Sequence, residues 1–306
     1  LPTRVVKTQE PLLRVITRKN LRIDQVKDPI TANADSLQAW AIDQVRFPRP
    51  MSLQALMAYS NQGAILDLSP QVKADGTLDW TAPEGEWRVV ALFEGWHGKL
   101  VERAGPGGEG DVIDHFSATA IDHYLHHFDT IFAGRDLTGL RAWFNDSYEV
   151  DDARGEADFT PLLLEEFNQR RGYDLRHHLP ALMGLDSADI NARVLTDYRQ
   201  TISDLILENY TLRWHDWSTR GGHIIRNQAH GAPADILDLY AAADIPETEG
   251  EDIVKIKTAS SVAHVTGKKL ASSESATWLK DHFQASLEEV KHAADLFLLA
   301  GINHIF

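Results

Sequence analysis

Cysteine is absent from all 306 residues, which excludes disulfides, thiolate metal sites, iron–sulfur clusters and a cysteine nucleophile. Positive charge is scarce: 30 Lys and Arg stand against 45 Asp and Glu, a formal net charge of −15. That sign repels nucleic acid and anionic membranes, so neither is expected as a partner. No apolar run approaches the roughly 20 residues that a membrane-spanning helix needs. Charged residues make up 25% of the chain without forming a block, which argues against disorder. Nucleotide signatures are missing as well. Gly105-Pro106-Gly107-Gly108-Glu109-Gly110 lacks the Gly-Lys-Ser/Thr ending of a phosphate loop, and Gly98-Lys99 runs into Leu100. With Lys99 and Arg103 it is better read as a loop at a substrate edge. His123 and His127 lie one helical turn apart but lack the glutamate of a zinc HExxH pair. Ser272-Ser273 has no Gly-x-Ser-x-Gly elbow around it. There is also no initiating methionine or signal pattern at Leu1, and Gly301 to Phe306 reads as an interrupted strand. The chain is therefore expected to be a piece of a longer polypeptide.

With 43% hydrophobic residues the chain has enough apolar material for one large core or two domains. Residues 1–98 read as a mainly β unit. Met51 to Tyr59, Ile65 to Leu68, Leu78 to Trp80 and Trp87 to Phe93 are short strand candidates, punctuated by Asp75-Gly76 and Pro83-Glu84-Gly85. The expectation is an antiparallel, sandwich-like scaffold or accessory module. Residues 99–306 change period. Phe116, Ala120, Tyr124, Phe128 and Ile131 recur at helical spacing, as do Val194, Tyr198, Ile202, Leu205 and Tyr210, then Leu287, Val290, Ala294 and Phe297. Between these stripes lie strand candidates at Leu140 to Phe144, His223 to Arg226, Lys269 to Ser272 and Ile302 to Phe306. Helices alternating with strands imply an α/β fold with a parallel sheet. We expect part of a (β/α)8 TIM-like barrel, its remaining strands lying outside the chain. Trp143, Trp214, Trp217 and Trp278 are more plausibly core than sugar platforms.

Nearly every strand candidate ends in polar residues. Phe144 is followed by Asn145-Asp146-Ser147-Tyr148-Glu149, Arg226 by Asn227-Gln228-Ala229-His230, Pro246 by Glu247-Thr248-Glu249, and Ser273 by Glu274. Active sites of such barrels gather at the carboxyl ends of strands. Acids after strands often serve only as helix caps, but acids at several strand ends together point to chemistry. Crowded carboxylates need a shared proton, a bound cation or compensating hydrogen bonds. Glycoside hydrolysis uses that arrangement, one carboxyl protonating the leaving oxygen while a carboxylate activates water or attacks the sugar. Glu247 and Glu249, on one face of an extended segment, could with Glu274 equally hold a hard cation such as Ca2+.

Several segments together resemble glycoside hydrolase family 106, the α-L-rhamnosidases. They are Trp80-Thr81-Ala82-Pro83-Glu84-Gly85-Glu86-Trp87, Phe144-Asn145-Asp146-Ser147-Tyr148-Glu149, Arg170-Arg171-Gly172-Tyr173-Asp174-Leu175, Gln228-Ala229-His230-Gly231 and Asp244-Ile245-Pro246-Glu247-Thr248-Glu249. The similarity runs from about Phe47 to the end. The resemblance implies an interrupted (β/α)8 barrel with β-sandwich units, of which this chain would be a middle portion. It also implies release of terminal α-L-rhamnose from glycosides or polysaccharides with inversion, and a Ca2+ ion touching the sugar hydroxyls. Carried over, Glu249 resembles the general acid and Glu247 a calcium ligand. Glu274 is expected in the cation or substrate shell, or as the base; were the base outside the chain, this stretch alone would be inactive. Asp146, Glu149, Asn227, Gln228 and His230 are expected to contact hydroxyls. The family and a polysaccharide substrate suggest a periplasmic or secreted location. The competing readings are a non-catalytic carbohydrate-binding protein on a decayed hydrolase scaffold, and a retaining glycosidase for another sugar.

Overall fold

The computed structural model describes residues 52–74, 76–94, 101, 104–108, 110–152, 158–277 and 284–306. The expected Trp278 and the loop residues Lys99, Arg103 and Glu109 lie outside them, as does everything before residue 52.

Two compact units are present. In one, an antiparallel sheet of order β2-β1-β3 joins β1 (Ser52–Ser60), β2 (Ile65–Asp67) and β3 (Trp87–Glu94). The apolar run of β1 is buried from Ala55 to Ala58, and Leu56 and Ala58 pack with Leu68 beneath Trp80 and Trp87. Leu78 contributes only an isolated bridge to Val72. Among the described residues this is one three-stranded sheet, not two sheets face to face. The same unit includes residues 158–201, with α2 (Leu163–Arg171), the short α3 (Leu179–Leu182) and most of α4 (Ala188–Leu205). Gly172, left-handed at φ 78°, stops α2, and the Tyr59 hydroxyl donates to the Arg176 carbonyl at 2.5 Å. The chain thus returns to this unit after Asp152.

The other unit gathers Ile113–Asp151 and Ile202–Phe306 around a parallel sheet of order β4-β5-β6-β7-β8. Its strands are β4 (Ala142–Asn145), β5 (Ile224–Gln228), β6 (Ile245–Thr248), β7 (Ser272–Ser273) and β8 (His304–Ile305). Helices alternate with them, as parallel pairing requires: α1 (Ala118–Phe132), α5 (Arg213–Arg220), α6 (Ile236–Ala242), α7 (Ile253–Thr266) and α8 (Leu287–Leu299). Caps set their starts. Asp235 accepts from Leu237 N, Asp252 from Val254 N and Lys255 N, and Ser286 forms a reciprocal capping box with Glu289. Strand neighbours follow chain order, as they would in a (β/α)8 barrel. What the described residues form is an open five-stranded sheet, not a closed barrel.

Alternation along the strands assigns the two faces. Ile225 packs with Ile121, Leu125, Trp214 and Ala243, with Trp143, Tyr210 and Trp217 against that cluster, so this face meets α1 and α5. Phe144, Arg226 and Gln228 consequently turn to the opposite face. Between α4 and α5 the helix widens into a π-helix, Ile206–Leu212, which carries Tyr210 towards the sheet.

Candidate active site

On the face away from the helices, residues from β5, β6 and β7 converge. Glu247 is only 1% exposed. Its Oε2 accepts from the Ser272 hydroxyl at 2.5 Å and lies 3.1 Å from Arg226 Nε, an ion pair rather than an aligned hydrogen bond. The Arg226 guanidinium is sandwiched between rings, 4.1 Å from the centre of Phe144 and 3.7 Å from that of Phe306. Gln228, with no exposed surface, donates Nε2 to Glu247 Oε1 at 3.2 Å and to Glu274 Oε2 at 2.8 Å. Its Oε1 is buried without a partner among the described residues.

Glu274 follows β7 directly. Its N–H donates to the Thr248 carbonyl at 2.9 Å, so it sits beside the end of β6. Its Oε1 accepts from the Thr277 hydroxyl at 2.8 Å across a turn in which Ala276 is left-handed at φ 63°. Holding a non-glycine residue there costs on the order of 1 kcal/mol, a strain often found near functional side chains.

Glu249, beyond β6, has a different setting. His230 Nε2 lies 2.8 Å from its Oε1 and Lys255 Nζ lies 3.4 Å from the same atom. The hydrogen bond from His230, with the charge of Lys255, overcomes partial burial and lowers the Glu249 carboxyl to about 2. Such a group is ionised at any ordinary pH. That environment opposes the proton-donor role the resemblance implies for Glu249.

The ends of β4 and β5 are laced together. Tyr148 N donates to the His230 carbonyl at 3.1 Å, and a Cβ on Gly231 (φ 85°) would lie 2.3 Å from the Tyr148 carbonyl oxygen. Only glycine lets these backbones approach so closely. Asp146 is exposed and caps its own turn, accepting from Ser147 N at 2.8 Å; Glu149 opens the 3-10 turn Glu149–Asp152 and accepts from the Ser147 hydroxyl. Asn227 lies on the helix-facing side. Its Oδ1 accepts from Asn145 Nδ2 at 3.0 Å, and Asn145 Oδ1 accepts from Tyr210 at 2.5 Å. At 2% exposure, Asn227 sits where it braces the strand ends.

Apart from Asn227, the expected residues thus fall into three groups: Gln228 with Glu247 and Glu274, His230 with Glu249, and Asp146 with Glu149 on the neighbouring strand end. Arg226, Ser272, Lys255, Asn145 and Tyr210 were not singled out from sequence as site residues. Arg226 was discernible, because a strand residue two positions before Gln228 shares its face.

Glu247 and Glu274, the carboxylates expected beside a calcium ion, are joined here through the side-chain amide of Gln228. Both oxygens of Glu247 are taken by Arg226, Ser272 and Gln228, and an amide nitrogen, a donor, stands between Glu247 and Glu274. Among the described residues no three His, Asp or Glu side chains gather to hold a metal. Trp214 is core, whereas Trp143 and Trp217 line a hollow of about 500 Å³ with Phe128, Phe132, Arg135 and Arg220. Gly221 and His223 border it, before the start of β5, so it lies away from the acids.

Comparison with known proteins agrees with this architecture. A solved structure, described as a rhamnosidase from Novosphingobium sp. PP1Y, superposes with a TM-score of 0.64 at 30% identity, covering 82% of this chain and 26% of its own. A curated protein of Formosa agariphila named "Putative beta-glucuronidase" is 31% identical over 239 residues, 74% of this chain and 20% of that protein. The chain therefore spans about a fifth to a quarter of these relatives. The model of glycoside hydrolase family 106, described as alpha-L-rhamnosidase, matches residues 41–306, most of the length, and the chain belongs to that family.

Proposed function

We propose that this chain forms part of the catalytic domain of a glycoside hydrolase releasing α-L-rhamnose from glycosides or polysaccharides, with inversion at the anomeric carbon. The observation that carries the reading is the grip of Gln228 on Glu274 at the carboxyl end of a parallel sheet, beside further acids on adjacent strand ends. Family membership supports the substrate class.

Glu274 is the base in this scheme. Among the described residues its side chain meets the neutral donors Gln228 and Thr277 and no cation. It takes a proton from water as the water oxygen attacks the anomeric carbon. The exocyclic C–O bond breaks on the opposite face, and the departing oxygen takes a proton from the acid. Glu247 is not the acid in this scheme, because it is buried and its carboxylate is already engaged by Arg226, Ser272 and Gln228. His230 and Lys255 hold the Glu249 carboxyl low, which favours its ionised form. The acid is therefore assigned to the β4 end, and to Glu149, whose side chain reaches farther than that of Asp146. Glu249 keeps His230 oriented for substrate hydroxyls. A polymeric substrate of this class would be met in the periplasm or outside the cell, which belongs to the same proposal.

The test is hydrolysis of an aryl α-L-rhamnoside by the intact protein, with product configuration followed by proton NMR in the first minutes. β-L-Rhamnose appears first. Glu274→Gln and Glu149→Gln each lower kcat by about 10²–10⁴. Hydrolysis of an aryl β-D-glucuronide instead, the alternative raised by the Formosa relative, would move the chain to another substrate, and first-formed α-L-rhamnose would make it a retaining enzyme.

A further inference from the structure

Three features of Gln228 go together: no exposed surface, one amide nitrogen shared by two carboxylates, and a carbonyl oxygen with no partner. A buried amide free to choose would satisfy both its ends. Here the orientation is imposed. Ionised carboxylates only accept, so both amide hydrogens are drawn to Glu247 and Glu274 and the carbonyl is left unmet.

Glu247 is in turn immobilised. The Ser272 hydroxyl and the Arg226 guanidinium hold its other oxygen, and Phe144 and Phe306 confine the guanidinium. Contacts therefore run without a break from an aromatic clamp through Arg226, Glu247 and Gln228 to Glu274. The geometry points to Gln228 as the positioning residue for Glu274, its amide oriented by the Glu247–Arg226 pair. This rests on the proposed function for the role of Glu274, but the positioning itself is a structural statement with its own readout.

The experiment uses the full-length protein and an aryl α-L-rhamnoside. Gln228→Leu, which keeps the volume and removes the unmet carbonyl, lowers kcat about 100-fold and leaves KM within threefold. Gln228→Glu, nearly isosteric but without N–H donors, does not restore it. Glu247→Gln lowers kcat, and the double variant Gln228→Leu/Glu247→Gln is no worse than Gln228→Leu within twofold, because both cut one chain of contacts. Retention of kcat within threefold in both Gln228 variants overturns the proposal, as do losses that multiply in the double variant. A crystal structure of Glu247→Gln separates this claim from the choice of substrate. A Glu274 carboxyl displaced by more than about 1 Å supports positioning. An unmoved one overturns it, whichever glycoside the enzyme cleaves, whereas failure to cleave any rhamnoside sinks the proposed function alone.

Discussion

Arg226 and Glu247 form a buried ion pair between neighbouring parallel strands, Nε to Oε2 at 3.1 Å, with the carboxylate almost wholly removed from solvent. Each charge is tolerable only because the other is there. Glu247→Leu should strand the guanidinium and destabilise the fold by about 3–5 kcal/mol, while Arg226→Met/Glu247→Leu recovers most of that loss. Urea denaturation followed by circular dichroism measures both. A single variant as stable as the parent would show that the pair contributes nothing.

Glu249 predicts an acid limb of stability. Its carboxyl is lowered to about 2 in the fold against an ordinary value near 4.5 in the open chain. The stabilisation is therefore fully present above about pH 4.5 and is lost as pH falls towards 2. Allowing for solvent screening it is on the order of 1–2 kcal/mol. Between pH 6 and pH 3 the unfolding free energy of the parent should fall more steeply than that of Glu249→Gln. Parallel curves would remove Glu249 as a source of the acid sensitivity.

Gly231→Ala places a methyl group against the Tyr148 carbonyl in a left-handed backbone. Backbone against backbone leaves nothing flexible to give way, so the cost should be about 3 kcal/mol or more. The Tyr148–His230 link would open, and a thermal midpoint within 1–2 °C of the parent (a shift worth about 1 kcal/mol) would contradict the contact.

Tyr210→Phe removes the donor to Asn145 Oδ1, and the amide that braces the β4 and β5 ends loses a partner. Burial keeps the Tyr210 phenol protonated, so it is a donor at every working pH. A loss of about 1–3 kcal/mol is expected from leaving a buried acceptor unmet. Amide hydrogen exchange should quicken at residues 142–145 and 224–228, and unchanged exchange there would count against the brace.

Periodicity made the helices and most strands legible: α1 and α8 form where helical spacing predicts them, although Tyr124, Ile131, Leu287 and Val290 of those stripes are exposed, and β4, β5 and β7 overlap their predicted runs and extend past them, while β8 lies inside its own. Strand β6 was harder to read, since Pro246 interrupts its ladder and Glu247 is an acid in a buried strand. The π-helix at Ile206–Leu212 leaves no mark in an apolar pattern that continues through it. Strand-end acids could be named because they follow their strands. Their partners could not, because the Arg226 contact with Phe306 spans elements far apart in the chain. The demand of Glu247 for a positive charge was foreseeable, and a cation was expected there. The guanidinium two residues before Gln228 meets it.

In the strand order, β4 and β8 stand at opposite margins, and among the described strands each has a neighbour on one side only. The outward amides and carbonyls of such margins offer a template onto which any extended segment can add.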